Sequence, residues 1–295
     1  MRRFAFQTVD VFTSARFGGN PLAVFPDASG LSDCEMQRLA TEFNLSETTF
    51  VLPPRDPVHD AEVRIFTPAH EMPFAGHPNV GTAFVLAGMG RDRGGKLLFE
   101  EIAGLVEARI EHDAEGAVRG AEIDAPAALA IGGEVAPELI ARCIGLTPGD
   151  LRLAYHRPLV ASVGAAFAFV EVERAALGRA APDISAFRDL AANHSANKGL
   201  AAVHLYARDG AFVAGRMFAP LSGVLEDPAT GSANAALGAL LLSLDGGDEL
   251  TIAATQGVEM GRPSALRVRA RRTATGIRSS IAGDCVPVMR GEVTL

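Results

Sequence analysis

Tryptophan is missing from this sequence, tyrosine occurs twice and cysteine three times. The cysteines, Cys34, Cys143 and Cys285, are few, odd in number and far apart, which excludes a disulfide framework and points to a reducing compartment. None has metal-ligand spacing, and the seven histidines form no HxxxH pattern, so no metal site is expected. Positive charge is also short: 27 Lys and Arg face 35 Asp and Glu, a net charge of −8. That balance gives nucleic acid or an anionic membrane no reason to bind. The one dense basic run, "RVRARR" at Arg267–Arg272, alternates as a strand edge does. No apolar run reaches the roughly 20 residues needed to cross a bilayer. The opening "MRRFAFQTVDVF" alternates apolar with polar residues and lacks the unbroken apolar stretch of a signal peptide. The expected location is cytoplasmic.

What is present suits a soluble globular protein: 48% hydrophobic and 21% charged residues in a chain of 295, long enough for two domains. Strand-like alternation falls at residues 4–12, 21–25, 62–67, 96–102 and 105–111. Between the second and third of these, "SDCEMQRLATEFN" reads as an amphipathic helix. Ser32 and Glu35 form its capping box, and Met36, Leu39, Ala40 and Phe43 its apolar stripe. A second series begins near Val118, with a strand to Ile123, a helix over 135–144 stopped by Gly145, and strands at 167–172, 200–206 and 212–218. The tail from Glu249 is again strand-rich. This mixed order predicts an α+β fold with largely antiparallel pairing.

One unit occurs twice. "RIFTPAHEMPFAGHPNVGTAFVLAG" (64–88) and "RMFAPLSGVLEDPATGSANAALGALL" (216–241) share Arg, an apolar residue, Phe, one residue, Pro, a loop, a glycine turn and an apolar helix. Arg64, Phe66, Pro68 and Gly76 answer Arg216, Phe218, Pro220 and Gly231, the second loop being three residues longer. A single echo about half a chain apart signals two like domains rather than a solenoid. Both helices are apolar nearly all round and must be covered on every side. The expected fold is two pseudo-symmetric domains, each a mostly antiparallel sheet cylinder around a central helix.

The glycine turns, Gly76-His77 and Gly231-Ser232, fit tight strand-to-helix connections, but their occurrence as a matched pair favours two helix starts that receive one anion. Neither has the glycine spacing or lysine of a phosphate loop, so a small carboxylate suits them better than a nucleotide. Asp227 and His77 are open to two readings, helix-start residues or a carboxylate–imidazole pair acting on substrate, with Ser232 as a further donor. Glu47 in "NLSETTFVLPP" opens a strand, and its residue pattern leaves a solvated strand end and a functional carboxylate equally open. There is no G-x-S-x-G elbow.

"GNPLAVF", "NLSETTFV", "FTPAHEMPFAGHPNVGTA", "EDPATGSANAAL" and "TQGVEMGRPS" together resemble the PhzF-like, phenazine-biosynthesis family of the diaminopimelate epimerase-like superfamily, from Val9 to the closing "VPVMRGEV". The resemblance implies an active site in a cleft between the domains and a homodimer. It also implies a C-terminal strand, 282–295, returning to an N-terminal domain of residues 1–118, with 119–281 as the second domain. It makes Glu47 the acid/base, puts His77, Asp227 and Ser232 at pocket positions, and gives Asn20, Gly76 and Gly231 to ligand binding, with no cofactor. The superfamily's racemases carry a cysteine before each glycine turn; here those positions are Ala75 and Thr230. A one-base isomerisation of a small carboxylic acid is therefore the expected activity. Rival readings are an amino-acid racemase or epimerase, an imino-acid dehydratase, and a family member that only binds a metabolite.

Overall fold

The computed structural model describes residues 1–193 and 200–295, which form two compact units: Met1–Asp124 with Ala282–Leu295 (unit 1), and Ala125–Ile281 (unit 2). Unit 1 contains β1 (Arg3–Val11), β2 (Asn20–Phe25), α1 (Asp33–Phe43), β3 (Glu47–Leu52), β4 (Ala61–Phe66), a two-residue β5 (Glu71–Met72), α2 (Gly76–Gly88), β6 (Lys96–Glu101), β7 (Gly104–His112) and β8 (Val118–Asp124). Unit 2 contains β9 (Ala130–Glu134), α3 (Pro137–Cys143), β10 (Leu159–Ser162), β11 (Ala166–Glu171), α4 (Arg174–Leu177) and α5 (Ile184–Asn193). It continues with β12 (Val203–Asp209), β13 (Phe212–Ala219), β14 (Val224–Asp227), α6 (Gly231–Asp245), β15 (Glu249–Gln256) and β16 (Ser264–Thr273). The last strand, β17 (Gly276–Thr294), starts in unit 2 and finishes in unit 1. Among the described residues no helix is long and apolar enough to cross a membrane.

Eight strands of unit 1 close on themselves. β17 pairs with β1, β1 with β2, β2 with β3, β3 with β4, β4 with β6, β6 with β7, β7 with β8, and β8 again with β17. Helix α2 fills the ring, buried on all sides from Gly76 through Ala83. Close approach at Gly81 makes this possible: a Cβ there would lie 2.6 Å from Leu22 Cδ2 and 2.8 Å from Val11 Cγ2. Helix α1 lies outside the ring with its capping box formed, Glu35 Oε2 accepting from Ser32 N at 2.8 Å. Met36, Leu39 and Ala40 bury against Phe25, Phe50 and Phe66, and Phe43 meets Phe6 and Phe25 edge-on.

In unit 2 the pairings run β9–β10–β11–β12–β13–β15–β16, with β14 added to β13. Helix α6 packs on β15, β16, β10 and β11, and Gly238 fits tightly enough that a Cβ would sit 2.5 Å from Val268 Cγ1. Helices α3 and α5 cover the other face, where Ile140, Phe187 and Leu190 join Val203, Leu205 and Phe218.

The repeat extends to hydrogen bonds. Arg64 forms a two-bond fork to Glu71 (both 2.7 Å) and lies 5.2 Å over the Phe66 ring. Arg216 forms the same fork to Glu226 (2.8 and 2.7 Å) and lies 4.9 Å over Phe218. Each glutamate stands five residues before its helix-opening glycine, so the fork clamps the loop that leads into the buried helix. Arg216 also donates to Leu177 O and Ala180 O at 2.6 and 2.8 Å, tying α4 to the clamp.

Several elements differ from expectation. Pairing is mostly antiparallel, but β2–β3, β4–β6, β11–β12 and β13–β15 are parallel. Helix α3 starts at Pro137 rather than 135, because Val135 N bonds Pro158 O as an extended residue (2.8 Å). β12 begins at Val203 rather than 200, and α4 and α5 were not anticipated.

The Arg216–Glu226 fork is nearly dry, whereas Arg64 keeps a second partner in exposed Asp33. Glu226→Leu is therefore expected to cost about 3–5 kcal/mol, as for a buried ion left alone. Glu71→Leu is expected to cost about 1 kcal/mol. Urea unfolding of the two variants measures the difference, and equal losses would contradict this account.

Candidate active site

The start of β3 places Glu47. Helix α1 ends in the left-handed residue Asn44 (φ 51°), whose N–H bonds Ala40 O, and Glu47 follows three residues later. In the parallel β2–β3 pair Glu47 lies opposite Leu22, so Asn20, the first residue of β2, is at the same end of the sheet. Asn20 is fully buried. The loop entering it bends through Phe12 (φ 65°), Phe17 (φ 70°) and Gly19 (φ 61°). Asp10 Oδ2 holds that loop by accepting from Phe17 N at 2.7 Å. At Gly19 a Cβ would press to 2.2 Å from Val11 O, so only glycine fits.

His77 is the second residue of α2, with Nε2 3.5 Å from Glu47 Oε2; the glutamate side chain is 17% exposed. Burial pushes the imidazole down to about 3, so at neutral pH it is uncharged. The cap residue Ala75 has no side-chain acceptor and Pro78 has no N–H, which leaves the N–H groups of Gly76 and His77 as the first-turn donors. Asn79 donates back to Ala75 O at 3.0 Å and fixes the turn. Unit 1 thus brings together Glu47, His77 and Gly76, with Asn20 on the neighbouring strand end.

Unit 2 brings together Asp227, Gly231 and Ser232. Thr230, the cap residue of α6, does not cap the helix; its hydroxyl donates to Asp227 Oδ2 at 2.5 Å. The donors of Gly231, Ser232 and Ala233 therefore have no helical or cap acceptor. Asn234 donates to Thr230 O at 3.0 Å, repeating Asn79. Gln256, at the end of β15, binds this turn from below. Its Oε1 accepts from Asn234 Nδ2 (2.8 Å) and Thr230 N (3.3 Å), and its Nε2 donates to Asp227 O (2.7 Å) and Thr230 Oγ1 (3.0 Å). Ser264 Oγ donates to Pro228 O at 2.8 Å. Gly257 (φ 73°) lies so close that a Cβ would be 2.6 Å from the same oxygen. The "TQGVEMGRPS" stretch is therefore the brace of the Asp227 loop.

Sequence reasoning singled out neither Gln256 nor its unit 1 counterpart, Glu101. The signal was available: each closes the strand that follows the apolar helix of its repeat, in "LLFEE" and "IAATQ".

Two buried helix starts with uncapped donors, one with a carboxyl and an imidazole beside it, form the candidate site, and comparison with known proteins supplies its class. The family model described as "Phenazine biosynthesis-like protein" matches residues 9–291. An uncharacterized isomerase of Mesorhizobium japonicum is 39% identical over 96% of both chains. The trans-2,3-dihydro-3-hydroxyanthranilate isomerase of Pseudomonas chlororaphis is 39% identical over 97% of this chain and 98% of its own. The crystal structure of the Bacillus anthracis phenazine biosynthesis protein, PhzF family, covers both chains fully with a TM-score of 0.88 at 27% identity. This chain belongs to the PhzF-like family of isomerases.

The neutral His77 has a measurable consequence. Below its ordinary value of 6.5 the unfolded chain takes up a proton that the native site refuses until about 3. Stability is thus complete above about 6.5 and drains as pH falls toward 3. Chemical denaturation across that window is expected to give a shallower fall for His77→Gln than for wild type.

Proposed function

We propose that the protein is a cofactor-independent isomerase in which Glu47 takes a proton from a carbon of a small unsaturated carboxylic acid. It then returns that proton elsewhere on the same face. The observation that carries this reading is the pairing of Glu47 with a neutral imidazole beside the uncapped start of α2. A carboxylate in a largely dry site is a competent base for a carbon acid when the substrate is held in reach. His77, uncharged, lies 3.5 Å from the Glu47 carboxyl and adds no competing charge beside it.

The internal repeat supports a single base. Phe66 pairs with Thr48 in unit 1 and Phe218 with Val203 in unit 2, so Ala202 stands where Glu47 would be repeated. Ala75 and Thr230, which precede the two glycines, supply no thiol. The arrangement therefore favours one-base proton relocation over two-base racemisation. In this reading the substrate carboxylate is received by the donors at Gly76, beside Glu47 in unit 1. Asn20 fixes the ligand beside Glu47, while Asp227, Gly231 and Ser232 keep the ligand-binding roles that the family resemblance implies.

The relatives' names supply the first compound to try, trans-2,3-dihydro-3-hydroxyanthranilate, an amino- and hydroxyl-bearing ring acid. Incubation in deuterated water, followed by NMR, is expected to show isomerisation with hydrogen relocated or exchanged at a ring carbon. Glu47→Gln should slow this by roughly 10²–10⁴-fold, the range for loss of a general acid/base. Equal rates in the two proteins would remove Glu47 from the chemistry. Binding without turnover, indifferent to Glu47→Gln, would favour a metabolite-binding role.

A further inference from the structure

The two repeats can be aligned by hydrogen-bond register alone, and one aligned pair stands out. Arg64 and Arg216 are equivalent, so Glu62 in β4 corresponds to Ala214 in β13. Glu62 pairs with Glu100 of the parallel strand β6, and Ala214 pairs with Thr255 of the parallel strand β15. The next residues, Glu101 and Gln256, therefore occupy the same place. Both are buried, at 6% and 1% exposure. Gln256 is a neutral amide fully engaged with the turn that opens α6. Glu101 is nearly its isostere, set beside Asn79, which repeats Asn234 and holds the turn that opens α2. Ala103 N donates to Pro73 O at 3.0 Å, tying the hairpin after Glu101 to the same turn.

Among the described residues no cation pairs with Glu101. Its neighbour Glu100 accepts from Arg55 and from the Arg55 and Asp56 backbone, and faces His59. On the packed strands, Arg64 is taken by Glu71 and Asp33, while Arg109 is shared among Glu107, Glu122 and Asp124. Lys96 pairs with Glu107. The remaining titratable groups are Glu62 on β4, Glu111 and His112 on β7, and the uncharged His77 on α2. Neither carboxyl oxygen of Glu101 has a hydrogen bond of good geometry. Burial dominates over the nearby Asn79 amide and pushes the carboxyl up to about 8.

We propose that Glu101 is a positioning residue that works as a neutral carboxylic acid, the unit 1 counterpart of the Gln256 amide, and keeps the start of α2 receptive to an anionic substrate. Ionised, it would place a buried negative charge one side chain away from the donors of Gly76 and His77, opposing the substrate carboxylate. The inference rests on the reading that this helix start receives a carboxylate, and it adds the group that sets the charge the carboxylate meets.

The test compares wild type with Glu101→Gln from about pH 5 to about pH 10, using anthranilate, a fluorescent ring carboxylate, as the probe. In wild type the anthranilate Kd is expected to be flat below about 8 and then to rise by up to about tenfold per pH unit. In Glu101→Gln it should stay flat. Thermal unfolding supplies a reading without ligand. The native acid holds its proton while the unfolded one has lost it, so wild-type stability falls as pH climbs from about 4.5 to about 8 and then levels. The melting temperature of Glu101→Gln should therefore overtake that of wild type across this window. Should the variant fail to fold, the break in the wild-type Kd profile decides the matter. Superimposed Kd profiles, a wild-type profile without a break, or anthranilate binding to neither protein would overturn the proposal. Isomerisation and its dependence on Glu47 judge the earlier reading separately.

Discussion

A helix with no polar side can be buried only if something surrounds it, and then its ends are the only places where its backbone polarity meets the outside. That constraint organises this protein. In unit 1 a closed ring of eight strands encloses α2, and in unit 2 the sheet wraps α6. Both helices begin at a glycine after a cap residue that leaves the first-turn donors uncovered. Several polar groups nearby hold that opening in shape. The Arg–Glu forks clamp the incoming loops, Asn79 and Asn234 bind the carbonyl of the cap residue, and Gln256 binds the turn from beneath. The donors stay uncovered because their neighbours are occupied with one another.

Duplication followed by divergence explains how two like units carry unlike residues at matching positions. The scaffold residues are kept in both copies: Arg, Phe, the clamping Glu, the opening Gly and the Asn three residues on. The candidate site residues differ. Glu47 faces Ala202 across the alignment, Asp227 faces Met72, Thr230 faces Ala75 and Gln256 faces Glu101. Unit 1 holds Glu47 beside His77, whereas unit 2 offers a carboxylate and a hydroxyl held in a hydrogen-bonded loop.

Features determined by local chemistry were legible in the sequence. The capping box at Ser32 and Glu35, the stripe through Met36, Leu39 and Ala40, the two all-apolar helices and the repeat around Arg64 and Arg216 each depend on neighbours a few residues apart. Features determined at long range were not. Strand periodicity does not distinguish a parallel partner from an antiparallel one, so the four parallel pairings escaped notice. Val135 has an apolar, helix-compatible setting, but its N–H is claimed by Pro158, 23 residues on. Glu101 reads as the end of a charged strand, and its meaning depends on burial and on a counterpart 155 residues away. Glu47 was open from residues alone; resemblance to a family gave it a role, and the structure gave it a neighbour in His77.

The long last strand also governs the order of assembly. Residues 282–295 lie between β1 and β8 in the unit 1 ring, although more than 150 residues of unit 2 intervene in the chain. During synthesis the N-terminal sheet therefore waits with two open edges while the whole second unit emerges. Closure is a late, long-range event of high contact order. In that interval the unpaired margins of β1 and β8 are exposed to pairing with other chains. The seal of the first unit thus depends on a strand made only after the whole of the second.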